Sequence, residues 1–185
     1  MLVVMAGLPG VGKSALARRL AHRLPGLCLN KDLIRAAVFA PDEIRYDKTQ
    51  DDACFAAMLR AAEQILAYQR DCWLILDGRT FAQGSDLLPV MEMARRVSDQ
   101  LDVIACHCSD ETAKRRLATN RHYQAANRSF ELYLALKARQ SPLPAPALSV
   151  DTEMPLDQCA DRCLEHLVSS KRRRGLQSAP SSMGE

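Results

Sequence analysis

Residues 7–14, Gly-Leu-Pro-Gly-Val-Gly-Lys-Ser, match the phosphate-binding pattern G-x-x-x-x-G-K-[ST]. Glycines at these positions let consecutive backbone N–H groups turn toward phosphate oxygens. A helix beginning near Lys13 would add the positive end of its dipole. Lys13 can reach the β- and γ-phosphates of a nucleotide, and the Ser14 hydroxyl can ligate Mg²⁺. The residues expected to contact the nucleotide are Gly7, Leu8, Pro9, Gly10, Val11, Gly12, Lys13, Ser14 and Ala15.

A partial likeness to a guanine-recognition sequence occurs at Asn30-Lys31-Asp32. In the pattern N-K-x-D the last position must be acidic, whereas the residue there is Leu33. The stretch also follows the second predicted strand, which is too early in the chain for a guanine loop. ATP is therefore the expected nucleotide.

Polar residues follow the second and third predicted strands. Asp32 and Arg35 are three positions apart at a helix start, so both can project to one side. A carboxylate there can accept the proton of an attacking hydroxyl, and an arginine can hold an anionic acceptor or the migrating phosphoryl group. Asp77 ends a buried strand, as a Mg²⁺-binding aspartate does, and Arg79 and Thr80 are candidates for acceptor binding. The alternative makes Asp32 a helix cap and the arginines solvated residues.

The segment 112–140 is strongly basic. It has a net charge of +6, and its charged residues are Lys114, Arg115, Arg116, Arg121, Arg128, Lys137 and Arg139 against Glu131. Two helices, interrupted between Arg121 and Arg128, are predicted here. Arginines on such a mobile lid would neutralise a transferring phosphoryl group and exclude water, although a solvated basic face is the alternative. We favour Arg121 as a catalytic residue and Arg128 as a nucleotide contact.

Alternating apolar strands and amphipathic helices predict an α/β fold with a parallel sheet covered on both faces. The strands are expected at 2–6, 27–29, 73–76, 102–106 and 148–150. The helices are expected at about 13–24, 32–40, 51–70, 86–97, 110–140 and 155–170. The second of them starts at Asp32 and carries the apolar residues Ile34, Ala37 and Val38. The acid-rich residues 42–52 are expected to form an exposed loop.

The net charge of +3 in this 185-residue chain comes from the last 15 residues, so the rest is neutral. We expect one domain at 1–170 and a basic, disordered tail at 171–185.

Seven cysteines in apolar stretches indicate reduced, mostly buried thiols. No signal peptide and no membrane-spanning stretch is visible, so a cytoplasmic location is expected.

With these motifs assembled, residues 1–167 resemble the small P-loop kinases related to polynucleotide kinase, chloramphenicol phosphotransferase and the zeta toxins. The resemblance rests on GLPGVGKSALARRL, NKDLIR, LILDGRTF and CSDETAKRRLATNR. It implies a three-layer P-loop NTPase fold with strand order 2-3-1-4-5 and a helical lid. It also implies that Lys13 and Ser14 bind ATP phosphates and Mg²⁺, that Asp32 is the general base, that Arg35 contacts the acceptor or its phosphate, and that Arg121 or a neighbour is the lid arginine.

Three functions fit these residues. The first is an ATP- and Mg²⁺-dependent kinase acting on a hydroxyl of a small molecule, which the neutral body of the chain favours. The second is a polynucleotide 5′-hydroxyl kinase, which the D-x-x-R spacing, the basic lid and the basic tail support. The third is a non-catalytic, ATP-dependent switch or binding module. A closed pocket beside Asp32 would favour the first over the second.

Overall fold

A five-stranded parallel sheet lies at the centre of the protein, whose computed structural model describes residues 1–69, 71–97, 101–119 and 129–177, with no side chains for 174–177. The strands are β1 (Leu2–Ala6), β2 (Gly26–Asn30), β3 (Trp73–Asp77), β4 (Leu101–His107) and β5 (Ala147–Asp151). The helices are α1 (Lys13–Arg23), α2 (Lys31–Val38), α3 (Lys48–Tyr68), α4 (Leu88–Val97), α5 (Asp110–Thr119), α6 (Phe130–Lys137) and α7 (Leu156–Gln177). A short 3₁₀-helix, Gly84–Leu87, precedes α4.

The strand order is β2-β3-β1-β4-β5, which confirms the predicted order 2-3-1-4-5 and the α/β fold class. All neighbouring strands are parallel, so their carboxyl ends meet at one edge of the sheet. The register pairs Asn30 of β2 with Asp77 of β3. The loops that carry the predicted functional residues therefore emerge side by side.

The sheet is covered on both faces, which explains the continuous apolar sequences of its central strands. Every residue of β1 and β3 is buried. On β1, Val3 and Met5 pack in one layer with α1 and α7, while Leu2 and Val4 pack in the other with α3 and α4. The predicted three-layer arrangement follows from this alternation.

Helix α2 has its charged residues inside, whereas two of its large apolar residues face outward. Lys31, Asp32 and Arg35 are buried, whereas Leu33 and Val38 are exposed. This is the reverse of the usual pattern for a surface helix, in which the apolar stripe faces the core. The reversal has a local cause, because the inner face of α2 lines a polar cavity.

The expectation of an exposed acidic loop at 42–52 is wrong for its second half. Helix α3 begins at Lys48, and the side chain of Asp47 caps it by accepting a hydrogen bond from Gln50 N at 2.8 Å. Asp51 therefore lies in the first turn of a helix and lines a cavity. Acid-rich composition also suits a helix amino terminus, where carboxylates interact favourably with the dipole.

Helix α7 continues to Gln177, so residues 171–177 of the expected disordered tail are helical. Residues 178–185 lie outside the described part of the chain. None of the helices in the described ranges combines the length and the apolar character needed to cross a membrane.

Candidate active site

The loop between β1 and α1 has a backbone conformation that glycine permits and other residues resist. Gly7 and Gly12 have φ values of 134° and 88°. A Cβ atom on Gly7 would lie 2.3 Å from the carbonyl oxygen of Cys106, so no side chain fits there. Gly12 occupies the cap position of α1, whose first residues are Lys13 and Ser14. Loop N–H groups and the positive end of α1 can together surround a phosphate.

Lys13 lies between two cavities and lines both of them. Its Nζ donates hydrogen bonds to the carbonyl oxygens of Gly7, at 2.7 Å, and Leu8, at 2.8 Å. These bonds hold a buried ammonium group against the loop. A phosphate chain that entered from one cavity could therefore present its terminal group to the other.

The first cavity, which we call the nucleotide cavity, has a volume of about 510 Å³. Five of the residues predicted to contact nucleotide line it: Gly10, Gly12, Lys13, Ser14 and Ala15. Its volume lies within the range of about 300–1,000 Å³ that is typical of small-molecule sites. This cavity could hold the phosphates and the nucleoside of ATP.

The other predicted loop contacts lie differently. Pro9 lines the second cavity. The side chains of Leu8 and Val11 are buried in the core, so they could offer a ligand only backbone groups. Gly7 has no side chain and could also offer only backbone groups, of which the N–H already donates to the carbonyl oxygen of Thr80 at 2.9 Å.

Arg116 of α5 and Thr152, after β5, also line the nucleotide cavity, next to the phosphate-binding loop. Arg116 donates to the Thr152 hydroxyl at 3.0 Å and to its carbonyl oxygen at 2.7 Å. The Thr152 hydroxyl in turn donates to the carbonyl oxygen of Val11 at 2.8 Å. Arg116 was one of seven basic residues in the predicted lid, and nothing in its spacing distinguished it. Thr152 was missed, because only the tertiary structure brings it to the loop.

Ser14 and Asp77 were predicted to hold Mg²⁺, and the environment of Asp77 suits that role. Asp77 is only 2% exposed, and Asn30 Nδ2 donates to its Oδ2 at 2.6 Å. Its Oδ1 is buried without a partner among the described residues. A water molecule bound to Mg²⁺ could donate to that oxygen. Within the described ranges, no group of three or more His, Cys, Asp or Glu residues could hold a metal ion.

The second cavity, which we call the acceptor cavity, has a volume of about 350 Å³. Charged residues dominate its described lining, six basic and five acidic: Lys13, Lys31, Arg35, Lys48, Arg79, Arg139, Asp32, Asp47, Asp51, Asp52 and Asp86. Their formal net charge is only +1. Apolar and aromatic side chains complete the wall, among them Tyr46, Leu132 and Leu136.

Asp32 and Arg35, predicted as general base and acceptor contact, are both buried and lie together. Arg35 Nη1 donates to Asp32 Oδ1 at 2.8 Å. Asp32 is not the cap of α2, because Asn30 fills that position and accepts hydrogen bonds from the backbone N–H groups of Asp32 and Leu33. The Arg35 guanidinium, 2% exposed, lies 4.9 Å from the centre of the Tyr46 ring. The alternative of a capping aspartate and a surface arginine is therefore wrong.

Arg79 and Thr80, predicted to bind the acceptor, both line the acceptor cavity. Arg79 lies over the ring of Phe55 at 4.2 Å and forms an ion pair with Asp86 at 3.3 Å. Phe81, which follows, has a φ of 51°, a conformation rare for a bulky residue. This turn directs the carbonyl oxygen of Thr80 toward the phosphate-binding loop.

The two lid arginines favoured from the sequence, Arg121 and Arg128, lie outside the described residues. The described part of the lid contacts both cavities: α5 supplies Arg116 to the nucleotide cavity, while α6 supplies Leu132 and Leu136 to the acceptor cavity and Arg139 follows just after it. The two helices are joined at Asp110, which accepts hydrogen bonds from Tyr133 at 2.7 Å and Lys137 at 2.6 Å.

The seven cysteines are all free thiols. Burial raises the pKa of Cys106 to about 12 and that of Cys163 to about 12. Such groups stay protonated at neutral pH, and the thiolate is the form that reacts and binds metals. This agrees with the interpretation of these thiols as core residues.

The fold and the glycine-rich loop define a P-loop nucleotide-binding protein. A family model described as an AAA domain matches residues 2–143, and the chain belongs to that family. No curated protein sequence matches the chain.

Several solved structures share the fold. A gluconokinase from Sinorhizobium meliloti 1021 is 16% identical, with a TM-score of 0.68, 95% of this chain and 96% of that chain being covered. A sugar kinase from Janibacter sp. HTCC2649 is also 16% identical, with a TM-score of 0.61 and coverage of 89% and 92%. Kti12 from Chaetomium thermophilum, solved with ADP-AlF3, is 19% identical, with a TM-score of 0.63 and coverage of 90% and 99%. At these identities the likeness establishes the fold.

Proposed function

We propose that the protein is a kinase that transfers the γ-phosphoryl group of ATP to a hydroxyl group of a small molecule, in a Mg²⁺-dependent reaction. One observation carries this proposal: Lys13 borders a cavity of nucleotide size on one side and a cavity that contains Asp32 on the other. A γ-phosphate bound at Lys13 would face the second cavity. A purely binding site would need no second, carboxylate-lined cavity at that point.

In the proposed reaction, Lys13 and the loop N–H groups hold the β- and γ-phosphates at the boundary of the two cavities. Asp32 accepts the proton of the acceptor hydroxyl while the hydroxyl oxygen forms a bond to the γ-phosphorus. The bond from that phosphorus to the β–γ bridging oxygen breaks, and ADP leaves. Arg35 holds Asp32 in position, and its positive charge offsets charge on the transferring group.

Ser14 and Asp77 would hold Mg²⁺, Asp77 through water, and the ion would supply charge neutralisation at the phosphates. Arg79 and Thr80 would contact the acceptor. Arg121 would act from the lid on the transferring group, and Arg128 would contact the nucleotide.

The acceptor cavity supports a small molecule rather than a nucleic-acid end. Its volume of about 350 Å³ is near the lower limit for small-molecule sites. Among the described residues, its lining is near neutral and lacks the basic excess that phosphate backbones require. Paired carboxylates and guanidinium groups offer many hydrogen bonds to a hydroxylated compound. The gluconokinase and the sugar kinase of similar fold make sugars and sugar acids the first compounds to test.

The test is to incubate the protein with γ-labelled ATP, Mg²⁺ and three sets of acceptors: gluconate and other sugar acids, neutral hexoses, and 5′-hydroxyl oligonucleotides. We expect label on a small molecule. Transfer to oligonucleotides alone would replace this proposal with a polynucleotide kinase, and ATP binding without transfer to a full metabolite extract would indicate a switch.

Two variants test the assignment of the base. Asp32→Asn should lower transfer about 10²–10⁴-fold because it removes the proton acceptor, with ATP affinity retained. Lys13→Ala should weaken ATP binding itself. Near-normal transfer by Asp32→Asn would show that another group is the base.

We also infer that the protein works in a reducing compartment such as the cytoplasm. The support is its seven free cysteines, since thiols persist where disulfides do not form. Fractionation of the cells that produce the protein tests this inference, and recovery from an oxidising compartment would contradict it.

A further inference from the structure

Asp51, in the first turn of α3, contacts three basic side chains of the acceptor cavity. Its Oδ1 accepts hydrogen bonds from Lys31 Nζ and from Arg35 Nη2, the latter at 2.6 Å. Its Oδ2 lies 3.5 Å from Arg79 Nη1. The three partners come from α2 and from the loop after β3, so Asp51 joins both to α3. It belongs to none of the motifs recognised in the sequence.

The two partners on α2 are among the most deeply buried charged groups of the protein. Lys31 is 5% exposed and Arg35 is 2% exposed. A buried ammonium or guanidinium group is strongly unfavourable unless a carboxylate faces it. Asp32 contacts Arg35 on the other side, so Arg35 lies between the proposed base and Asp51. Asp51 thereby determines where the guanidinium that contacts the base can lie.

Asp51 favours the charged form of Lys31. Burial lowers the pKa of Lys31 below its ordinary value, and the charge of Asp51 and its hydrogen bond oppose this effect. The neighbouring charge of Asp32 raises that pKa and that of Arg35 lowers it. Lys13 and Arg79 line the same cavity and add two further positive charges. Without Asp51, the cavity would hold an excess of cations around a buried amine.

We propose that Asp51 is a positioning residue of the acceptor cavity, which keeps the Lys31 ammonium charged and holds the Arg35 guanidinium against Asp32. It acts through these two side chains and takes no part in bond making. The inference rests on the proposed kinase function for its kinetic consequence, but the charge state of Lys31 can be measured without any activity.

The first experiment titrates the Lys31 side chain by NMR of protein labelled at the lysine side-chain carbons, with Lys31→Arg to assign the signal. In Asp51→Asn we expect the midpoint to fall by about 1–3 pH units, since an opposite charge at this distance shifts a pKa by that amount. The matched control is Glu63→Gln on the same helix, because Glu63 also contacts two arginines, Arg60 and Arg96, outside both cavities. An unchanged midpoint in Asp51→Asn would overturn the proposal.

The second experiment measures the pH profile of phosphoryl transfer, with gluconate as acceptor or with Mg·ATP alone and water as acceptor. In Asp51→Asn, kcat should fall about 10²-fold because the base is misplaced, and the basic limb of the profile should move to lower pH. Asp51→Glu should recover most of the activity. Lys31→Arg combined with Asp51→Asn should return the basic limb of the pH profile to its wild-type pH, since arginine stays charged.

These results separate the two proposals. A wild-type protein without transfer or hydrolysis would count against the kinase function, while the Lys31 titration would still decide the role of Asp51. A uniform loss of activity in Asp51→Asn, with no shift of the limb and no recovery in Asp51→Glu, would reduce Asp51 to a structural residue. If Asp51→Asn does not fold, Asp51→Ser, which also removes the charge but has a smaller side chain, replaces it in both experiments.

Discussion

Replacing Asn30 with alanine removes two interactions at the carboxyl end of the sheet. The Asn30 Oδ1 caps α2 by accepting hydrogen bonds from Asp32 N at 2.9 Å and Leu33 N at 3.1 Å. Its Nδ2 donates to Asp77 Oδ2 at 2.6 Å. One side chain therefore connects β2, α2 and β3, and it supports both the proposed base and the proposed metal ligand.

The cost of Asn30→Ala follows from these contacts. Loss of a helix cap costs about 1 kcal/mol. Loss of a hydrogen bond to a buried carboxylate costs about 1.5–3 kcal/mol. The second figure applies because Asp77 is buried and its Oδ1 already lacks a partner among the described residues, so both oxygens would be unsatisfied. We expect a loss of about 2.5–4 kcal/mol in the free energy of unfolding.

Urea unfolding followed by tryptophan fluorescence measures this cost. Trp73 is the only tryptophan, is 4% exposed and lies in β3, so its emission reports on the sheet. Ser129→Ala is the control, because Ser129 caps α6 through Leu132 N and its other contact is with Glu131, which is exposed, rather than with a buried carboxylate. It should cost about 1 kcal/mol. If Asn30→Ala costs no more than Ser129→Ala, the contact between Asn30 and Asp77 does not stabilise the protein, and the reasoning fails.

Two further predictions concern the described part of the lid. Arg116→Met should weaken ATP binding about 10–100-fold, with little effect on acceptor binding, because Arg116 lines the nucleotide cavity and not the acceptor cavity. Calorimetry with ATP and with the acceptor measures both affinities. Equal weakening of ATP binding and acceptor binding would contradict the prediction. The pKa of Asp110 is lowered by the hydrogen bonds from Lys137 and Tyr133 and by the charge of Lys137. Its stabilising contribution is therefore present above the ordinary carboxyl pKa of about 4 and is lost as the pH falls through the lower folded-state value. Melting temperatures of wild type and Asp110→Asn should accordingly converge in acid.

The strand and helix pattern was predictable because it depends on local periodicity. A strand buried on both faces is continuously apolar, as β1 and β3 are, and glycines at fixed spacing mark the phosphate-binding loop. The strand order came from the family resemblance, since periodicity does not specify which strands are neighbours. Segment ends shifted by a few residues, as α3 shows by starting at Lys48 rather than near Asp51.

The acidic segment at 42–52 was harder to interpret. Exposed loops and cavity walls can have the same composition, and charge alone does not show whether a partner lies nearby. The basic partners of Asp51 are 16 to 28 positions away in the chain, so no local spacing connects them. The inward-facing charges of α2 were missed for the same reason, since their burial depends on a cavity that four other segments of the chain complete.

The amino-acid sequence by itself determined the phosphate-binding loop, the α/β class and the pairing of Asp32 with Arg35, because each depends on residues a few positions apart. Only the tertiary structure decided that Lys13 lines two cavities, that Arg116 and Thr152 line one of them, and that Asp51 links the cations of the other. The physical reason is the parallel sheet. It brings the carboxyl ends of strands distant in sequence to one edge of the sheet. Charged side chains buried there are stable only beside a group of opposite charge.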